Sequence, residues 1–473
     1  MKRPNILLLY TDQQRWDALG ANDNPDIQTP HLDELARGGV SFNHPFVQNP
    51  LCMPSRVSML SGRYPSSLGI THMGVNVPEE LPLLPHLLAP YGYTCANFGK
   101  LHLSPHANRD HREPHPKYGF DQLEVSDEPG VYEDAYRAWV EMRDPSQLGH
   151  LSVGLPPARK AWQETLNVYD PVPHPERGPL SGERDDFSGP ICSPIPEELT
   201  HSAFVADRSI DFLKRHAGQQ PFLCVAGFYA PHAPWVVPQR FLDQYDPATF
   251  TLPSMSADLN ARRMGYRFSD AHLRAARHGY YAAVSEVDFH VGRILRALES
   301  LGLKDDTIVV HTSDHGEWLG QHCKFGKGYP GDDLVTRVPL LLRYPEHVAA
   351  GGCVDRVVEA VDIVPTLLKL AGIQKPSALQ GEPLPLSSED AYTKTGALTE
   401  GRGWKTLRTP GYRYLIHGDG REVLSRLGGK NSGYDDSDVS GDVAYKDTLA
   451  NHRQALLMRL VSAERPLPRD WTY

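Results

Sequence analysis

Four short apolar runs, each ending in residues that can do chemistry, constrain this chain more than any other feature. Ile6 to Tyr10 leads into Thr11-Asp12-Gln13, and Tyr93 to Phe98 into Gly99-Lys100-Leu101-His102. Phe222 to Phe228 leads to Pro231-His232, and Thr307 to Val310 to Ser313-Asp314-His315. Near-continuous apolar runs of this length suit strands covered on both faces. Helical periodicity lies between them, clearest at Val284, Val287, Val291, Ile294, Leu295 and Leu298, and again from Val361 to Leu370. Strands alternating with helices predict a mainly parallel, doubly wound α/β sheet, and such sheets bind ligands beyond the carboxyl ends of their strands. The four polar endings are therefore expected on one rim.

The texture changes after about Gln380. A Pro-rich, polar connection (Lys375 to Ser388) leads to two runs that read as antiparallel strands, Trp404 to Arg408 and Tyr412 to His417, joined through Pro410-Gly411. A helical stretch from about Lys446 to Ser462 follows. The expected division is a catalytic α/β domain over residues 1–380 and a small C-terminal α+β subdomain over 381–473. Residues 104–198, rich in Pro, His and acidic side chains and weak in periodicity, are expected to form loops over the active face that set substrate specificity. Asp435-Asp436-Ser437-Asp438 reads as a solvated loop.

The chain has 473 residues and a net charge of −10, which argues against nucleic acid as a partner. No apolar run is long enough to span a membrane, and the N-terminal stretch is too short for a signal peptide, because Asp12 follows at once. Six cysteines without paired spacing suit a reducing, cytoplasmic setting. The tail from Arg465 to Tyr473 carries Trp471 and Tyr473, and is expected to dock, either on its own chain or on a neighbouring subunit of a homo-oligomer.

The reaction centre is expected at Cys52-Met53-Pro54-Ser55-Arg56, which continues as Val57-Ser58-Met59-Leu60-Ser61-Gly62-Arg63. Pro54 and Ser55 favour a helix start, whose free N–H groups suit an oxyanion, and Arg56 adds planar donors matched to sulfate or phosphate. The plain alternative is a buried free cysteine at a helix start. The run resembles, position by position, the C-x-P-S-R-x-x-x-L-[S/T]-G-R signature of the type I sulfatases of the alkaline phosphatase superfamily. The resemblance implies that Cys52 is oxidised to Cα-formylglycine by a formylglycine-generating enzyme. The hydrated aldehyde then carries two hydroxyls, one to attack sulfur and one to expel sulfate. It also implies an alkaline-phosphatase-like α/β/α sandwich, with the C-terminal sheet and helix closing one side of the pocket.

Asp12 and Asp314-His315 follow different strands, the usual way of delivering carboxylates to a divalent cation. Pro4 to Asp12 and Thr307 to Glu317 resemble the two metal-binding motifs of sulfatases, which implies a metal held by Asp12, Gln13, Cys52, Asp314 and His315. Gln13 and His315 replace the Asp and Asn of many members, as in the branch with choline sulfatase-like enzymes and phosphonate monoester hydrolases. Calcium is the family's usual ion. The imidazole and neutral amide make manganese second, with magnesium a further option.

Lys100 and His102 resemble the G-K-x-H motif, His232 the P-H-x-P motif and Lys327 the third basic motif. By resemblance, Asp314 is the base for the attacking hydroxyl. Lys327 and His232 lie near the leaving oxygen, and Lys100 and His102 nearer the nucleophile. Asn76 is a candidate contact to the substrate anion. His106, His111 and His115 are read as surface or structural residues. The implied function is hydrolysis of an aryl, choline or sugar sulfate. The alternative is a phosphonate monoester or phosphodiester hydrolase, which the basic pair Lys100 and His102 disfavours, and a third reading is an inactive binder of sulfated ligands.

Overall fold

The computed structural model describes residues 3–104, 114–153, 189–253, 255, 257–265, 269–427 and 437–464. Every residue of β1 (Asn5–Thr11) is buried. Ile6, Leu8 and Tyr10 enter one apolar cluster and Leu7 and Leu9 another. Side chains alternate across a strand, so two clusters on one strand mean a layer on each face. One layer contains the helices Cys52–Ser61 and Ile363–Leu370, and the other Pro30–Arg37, His201–His216 and Asp270–Ser300.

The strands beside β1 are β2 (Val40–Phe46), β3 (Thr94–Gly99), β4 (Gln122–Val125), β6 (Phe222–Gly227), β8 (Thr307–Ser313), β9 (Leu340–Arg343) and β10 (Gly352–Glu359). They form an eight-stranded sheet in the order β10-β2-β9-β8-β1-β6-β3-β4. A two-residue pair, β5 (Ile191–Cys192) with β7 (Val236–Val237), stands apart from it. β8, β1, β6 and β3 are parallel neighbours, and β9 alone runs antiparallel to the strands it joins.

The four motif-bearing strands thus end on one rim, as expected. Their ends are tied by Phe228 N–H to the Tyr10 carbonyl at 2.8 Å, Lys100 N–H to the Gly227 carbonyl at 2.7 Å, and Asp314 N–H to the Thr11 carbonyl at 3.3 Å. Glycine permits this approach: a Cβ on Gly227 would lie 2.2 Å from the Lys100 carbonyl oxygen.

A five-stranded antiparallel sheet follows: β11 (Ala397–Gly401), β12 (Trp404–Arg408), β13 (Tyr412–His417), β14 (Glu422–Arg426) and β15 (Ser437–Asp438), in chain order. Helix Lys446–Ala463 buries Leu449 and Leu456 against Leu398, Leu407, Tyr414 and Leu424. This sheet packs on the segment after Lys327. The Tyr329 ring lies 5.8 Å from that of Trp404, and its hydroxyl is 2.7 Å from His417 Nε2. Ion pairs add to the join, with Arg408 on Asp333 at 2.8 Å and Lys394 on Glu359 at 2.5 Å.

All six cysteines are free. Among the described residues no helix is long and apolar enough to cross a membrane. The 465–473 tail, His106, His111, residues 154–188 and Asp435-Asp436 lie outside the described residues. Ser437 and Asp438 are exposed but pair as β15 rather than forming a loop, and 104–198 is not all loop, since β4 joins the main sheet and Ala135–Arg143 is a helix.

Candidate active site

All ten residues of helix Cys52–Ser61 are buried, so polar groups at its start must be met by the protein or by a ligand. Leu51 enters it in an extended conformation, with no side-chain cap and no acidic residue in the first turn. The helix stops at Gly62, whose φ of 63° and N–H bonds to the Ser58 and Met59 carbonyls make a left-handed terminus.

At the start of this helix the rim delivers the expected cluster. Ligand atoms of Asp12, Cys52, Asp314 and His315 all lie within 4.8 Å of one another. His315 Nδ1 faces the Gly316 carbonyl at 2.9 Å and so carries the proton. Burial lowers the pKa of this ring, and Lys327 adds to the effect against the pull of Asp314 and Asp12. Its Nε2 lone pair therefore faces Cys52 Sγ at 3.2 Å and one oxygen each of Asp12 and Asp314 at 3.6 Å. Gln13 turns through a φ of 70°, and its side-chain Nε2 donates to Glu317. Its Oε1 is buried without a hydrogen-bond partner. Carboxylate oxygens, an imidazole lone pair and an orphaned amide oxygen converging out of water fit a divalent cation.

Arg56 departs from expectation. It is 1 % exposed, and its Nε donates to Asp314 Oδ2 at 2.7 Å. Nη1 donates to the Lys100 carbonyl at 3.1 Å, and Nη2 lies 3.6 Å from Asp12 Oδ2. Its plane covers the Tyr10 ring, 4.6 Å from the centroid. The guanidinium is committed to the buried carboxylates beneath the helix, because their charge inside the core demands a fixed counter-charge. It is therefore not the substrate-facing fork that the sequence reading expected.

Lys100 Nζ pairs with Asp12 Oδ2 at 2.7 Å and lies 4.7 Å from the centre of the Tyr229 ring. Burial alone would raise the Asp12 pKa, but Lys100, Lys327, His232 and His315 together hold its carboxyl well below the usual range. Lys327 Nζ lies 2.6 Å from Cys52 Sγ and 3.0 Å from His232 Nε2. Burial opposes the Lys327 charge, yet Cys52, Asp12 and Asp314 keep its pKa raised. His232 Nδ1 is 2.6 Å from the Ala233 carbonyl, and burial, reinforced by Lys327, drives its pKa well down. The ring is therefore neutral, with Nε2 accepting from the lysine. Burial and Asp12 raise the Cys52 thiol, with Lys327 and Lys100 pulling the other way.

His102 is buried with a φ of 52°, and its N–H donates to Asp127 Oδ1 at 2.8 Å, which fixes the turn after β3. Asn76 is exposed on the loop before Val77, and none of the cluster contacts described above reaches it. Sequence reasoning gave no role to Glu317 or Tyr229. Glu317 stood inside the Thr307–Glu317 motif, where a buried carboxylate next to metal ligands was a usable signal. Tyr229 had none, since a tyrosine two residues beyond a strand has no distinguishing pattern.

A family model described as Sulfatase matches residues 4–373. An ulvan-active sulfatase of Formosa agariphila is 30% identical over 81% of this chain, and the match spans 64% of that relative's length. An arylsulfatase of Clostridium perfringens is 28% identical over 80% of the chain and 77% of its own length. The solved structure of a phosphonate monoester hydrolase from Silicibacter pomeroyi superposes with a TM-score of 0.77 at 25% identity, covering 97% of this chain and 96% of that one. The fold is therefore the alkaline-phosphatase-like sandwich with an appended antiparallel sheet.

Proposed function

Because the chain belongs to the sulfatase family, we propose that it hydrolyses a sulfate monoester at position 52. The observation that carries the reading is the 2.6 Å approach of Lys327 Nζ to Cys52 Sγ at the edge of the buried carboxylate and imidazole cluster. Sγ stands in for the hydroxyl oxygens of a formylglycine hydrate, which would supply one hydroxyl to attack sulfur and another to release sulfate. Asp12, Gln13, Asp314 and His315 would hold a divalent cation, calcium first and manganese or magnesium next, which supplies positive charge beside the nucleophile and a sulfate oxygen.

The chain's own groups divide the remaining work. Asp314 takes the proton of the attacking hydroxyl, and the Arg56 Nε–H bond holds that carboxylate in place. Lys327 carries the proton for the leaving oxygen. His232 accepts from Lys327 and so orients the donor. Lys100 holds Asp12, and with His102 completes the proposed contacts around the anion. Residues 381–473 serve as a subdomain bracing the Lys327 segment through Tyr329. The same proposal includes a formylglycine-generating enzyme during maturation, and the free cysteines support a cytoplasmic site of action.

A second reading, phosphonate monoester or phosphodiester hydrolysis, is favoured by the Gln13 and His315 pair and by the likeness to the Silicibacter pomeroyi hydrolase. The test is kcat/KM for one aryl leaving group offered as sulfate monoester, phosphate diester and phosphonate monoester, with a Cys52→Ala control. Preference for sulfate, lost in the control, supports the first reading; preference for phosphorus supports the second. A mass measurement showing unmodified Cys52 in protein co-expressed with the converting enzyme would instead support an inactive binder.

A further inference from the structure

His232, which meets Lys327, also forms part of the wall of a cavity of about 100 Å³. The volume exceeds several-fold the roughly 10–15 Å³ that one water centre needs. Helix Asp270–Ser300 contributes Glu286 to this wall, and the start of helix His201–His216 contributes His201. Glu286 is 3 % exposed; the Thr200 and Ser202 side chains hydrogen-bond its carboxyl, but its Oε1 has no partner. His201, itself 9 % exposed, has the Ser126 backbone as a partner to its ring, which leaves one ring nitrogen unpaired. Buried polar atoms are seldom left unpaired. Two of them, Glu286 Oε1 and a His201 ring nitrogen, on residues of one cavity wall point to a ligand that supplies the partners.

The remaining lining says what kind of ligand. The Tyr136 and Tyr229 hydroxyls donate to the Leu199 and Ala233 carbonyls, and Trp235 Nε1 to the Pro231 carbonyl. These rings therefore offer hydrophobic surface rather than donors. Burial pushes the Glu286 carboxyl up to about 7, so near neutrality it can both donate and accept. Burial keeps His201 neutral against the opposing Ser126 hydrogen bond and Asp127, with Lys100 a smaller contribution in the same direction as burial. Neither Glu286 nor His201 supplies a fixed charge near neutrality, so the wall suits an uncharged ligand.

We propose that this cavity receives the alcohol half of the ester as a neutral, hydroxyl-bearing sugar ring, with Glu286 and His201 pairing to its hydroxyls and the aromatic rings packing on its C–H surface. The assignment rests on the sulfate ester reading, from which it can be separated experimentally. Metal-replete, formylglycine-bearing enzyme is offered N-acetylglucosamine 6-sulfate, galactose 6-sulfate, choline sulfate and 4-nitrophenyl sulfate, as wild type, Glu286→Gln and His201→Gln. The ratio of sugar-ester to aryl-ester kcat/KM is expected to fall at least about tenfold in each variant, mainly through KM. An unchanged ratio, no turnover of either sugar ester, or preference for choline sulfate overturns the assignment.

Binding of free N-acetylglucosamine and galactose to Cys52→Ala protein, followed by tryptophan fluorescence, gives an independent readout. Saturable binding weakened by Glu286→Gln is expected. If phosphorus esters prove the better substrates, this binding still reports on the cavity. If sulfate esters turn over and neither free sugar binds, the cavity assignment alone fails. Should a Gln variant not fold, Glu286→Asp, which retains the carboxyl but withdraws it, replaces it with the same expectations.

Discussion

Replacing Glu317 with Gln is expected to weaken metal binding by one to two orders of magnitude while leaving the sheet intact. The buried carboxylate accepts from Gln13 Nε2, from Leu319 N–H at 2.9 Å and from Gly326 N–H at 2.5 Å. It thus fixes a ligand amide on one side and the start of the Lys327 segment on the other. Glutamine exchanges one acceptor oxygen for a donor, which must then face either the Gln13 amide or the Gly326 N–H. A buried donor left unpaired costs about 1–3 kcal/mol. At 1.4 kcal/mol per factor of ten, that is about 5- to 150-fold in affinity. Outer partners of metal ligands typically contribute about 10- to 100-fold, in agreement. The assay is calcium titration of metal-stripped protein by calorimetry, with Cys52→Ala in both backgrounds so that turnover and modification do not enter. A Gln13→Ala background should abolish most of the effect of Glu317→Gln. An unchanged Kd, or an effect of full size without Gln13, would refute the argument that Glu317 acts through that amide.

Three further outcomes are expected. Asp314→Asn should abolish both bound metal and turnover, and it leaves Arg56 without its nearest counter-ion at a cost of about 3–5 kcal/mol; full metal occupancy by elemental analysis would contradict the ligand assignment. Glu286 holds its proton more tightly folded than unfolded, with a pKa near 7 against 4.5, so its contribution to stability is complete below about pH 4.5 and is lost as pH rises to about 7. Glu286→Gln should flatten the pH dependence of stability across that window by about 3 kcal/mol; parallel denaturation profiles would count against it. Gly227→Ala puts a Cβ against the Lys100 carbonyl and should destabilise by about 1–3 kcal/mol while lowering kcat through displaced Lys100, and unaltered melting and kinetics would disprove the close-approach argument.

The strands ending in Asp12, Lys100, His232 and Asp314 were legible because each is a run of apolar residues buried on both faces. Their adjacency followed from the rule that parallel sheets bind at their carboxyl ends. β9 was not legible as an antiparallel insertion, since Leu340–Arg343 is a short apolar run whose direction depends on the chain between Lys327 and Leu340. β11 and β14 escaped for a related reason: their burial is supplied by a helix that starts at Lys446. Within the site, residue types were readable and orientations were not. Arg56 belongs to a motif suited to anions, yet its direction is decided by two carboxylates, 44 residues before it and 258 after, that only the fold brings beneath it. Glu286 and His201 were less visible still, being single polar residues on separate helices with no common motif.

Cys52 is 2 % exposed and begins a helix whose ten residues are all buried. Another enzyme cannot wrap its own active site around a residue that this protein's core already surrounds. If position 52 is matured as proposed, the change belongs to the interval before this layer closes, and the folded thiol form is an end product rather than a precursor. Adding the modifying enzyme to finished protein would leave it unchanged, whereas unfolding and refolding in its presence would recover activity. The active fraction in a cell is then decided by a race between folding and modification, not by how much polypeptide is made.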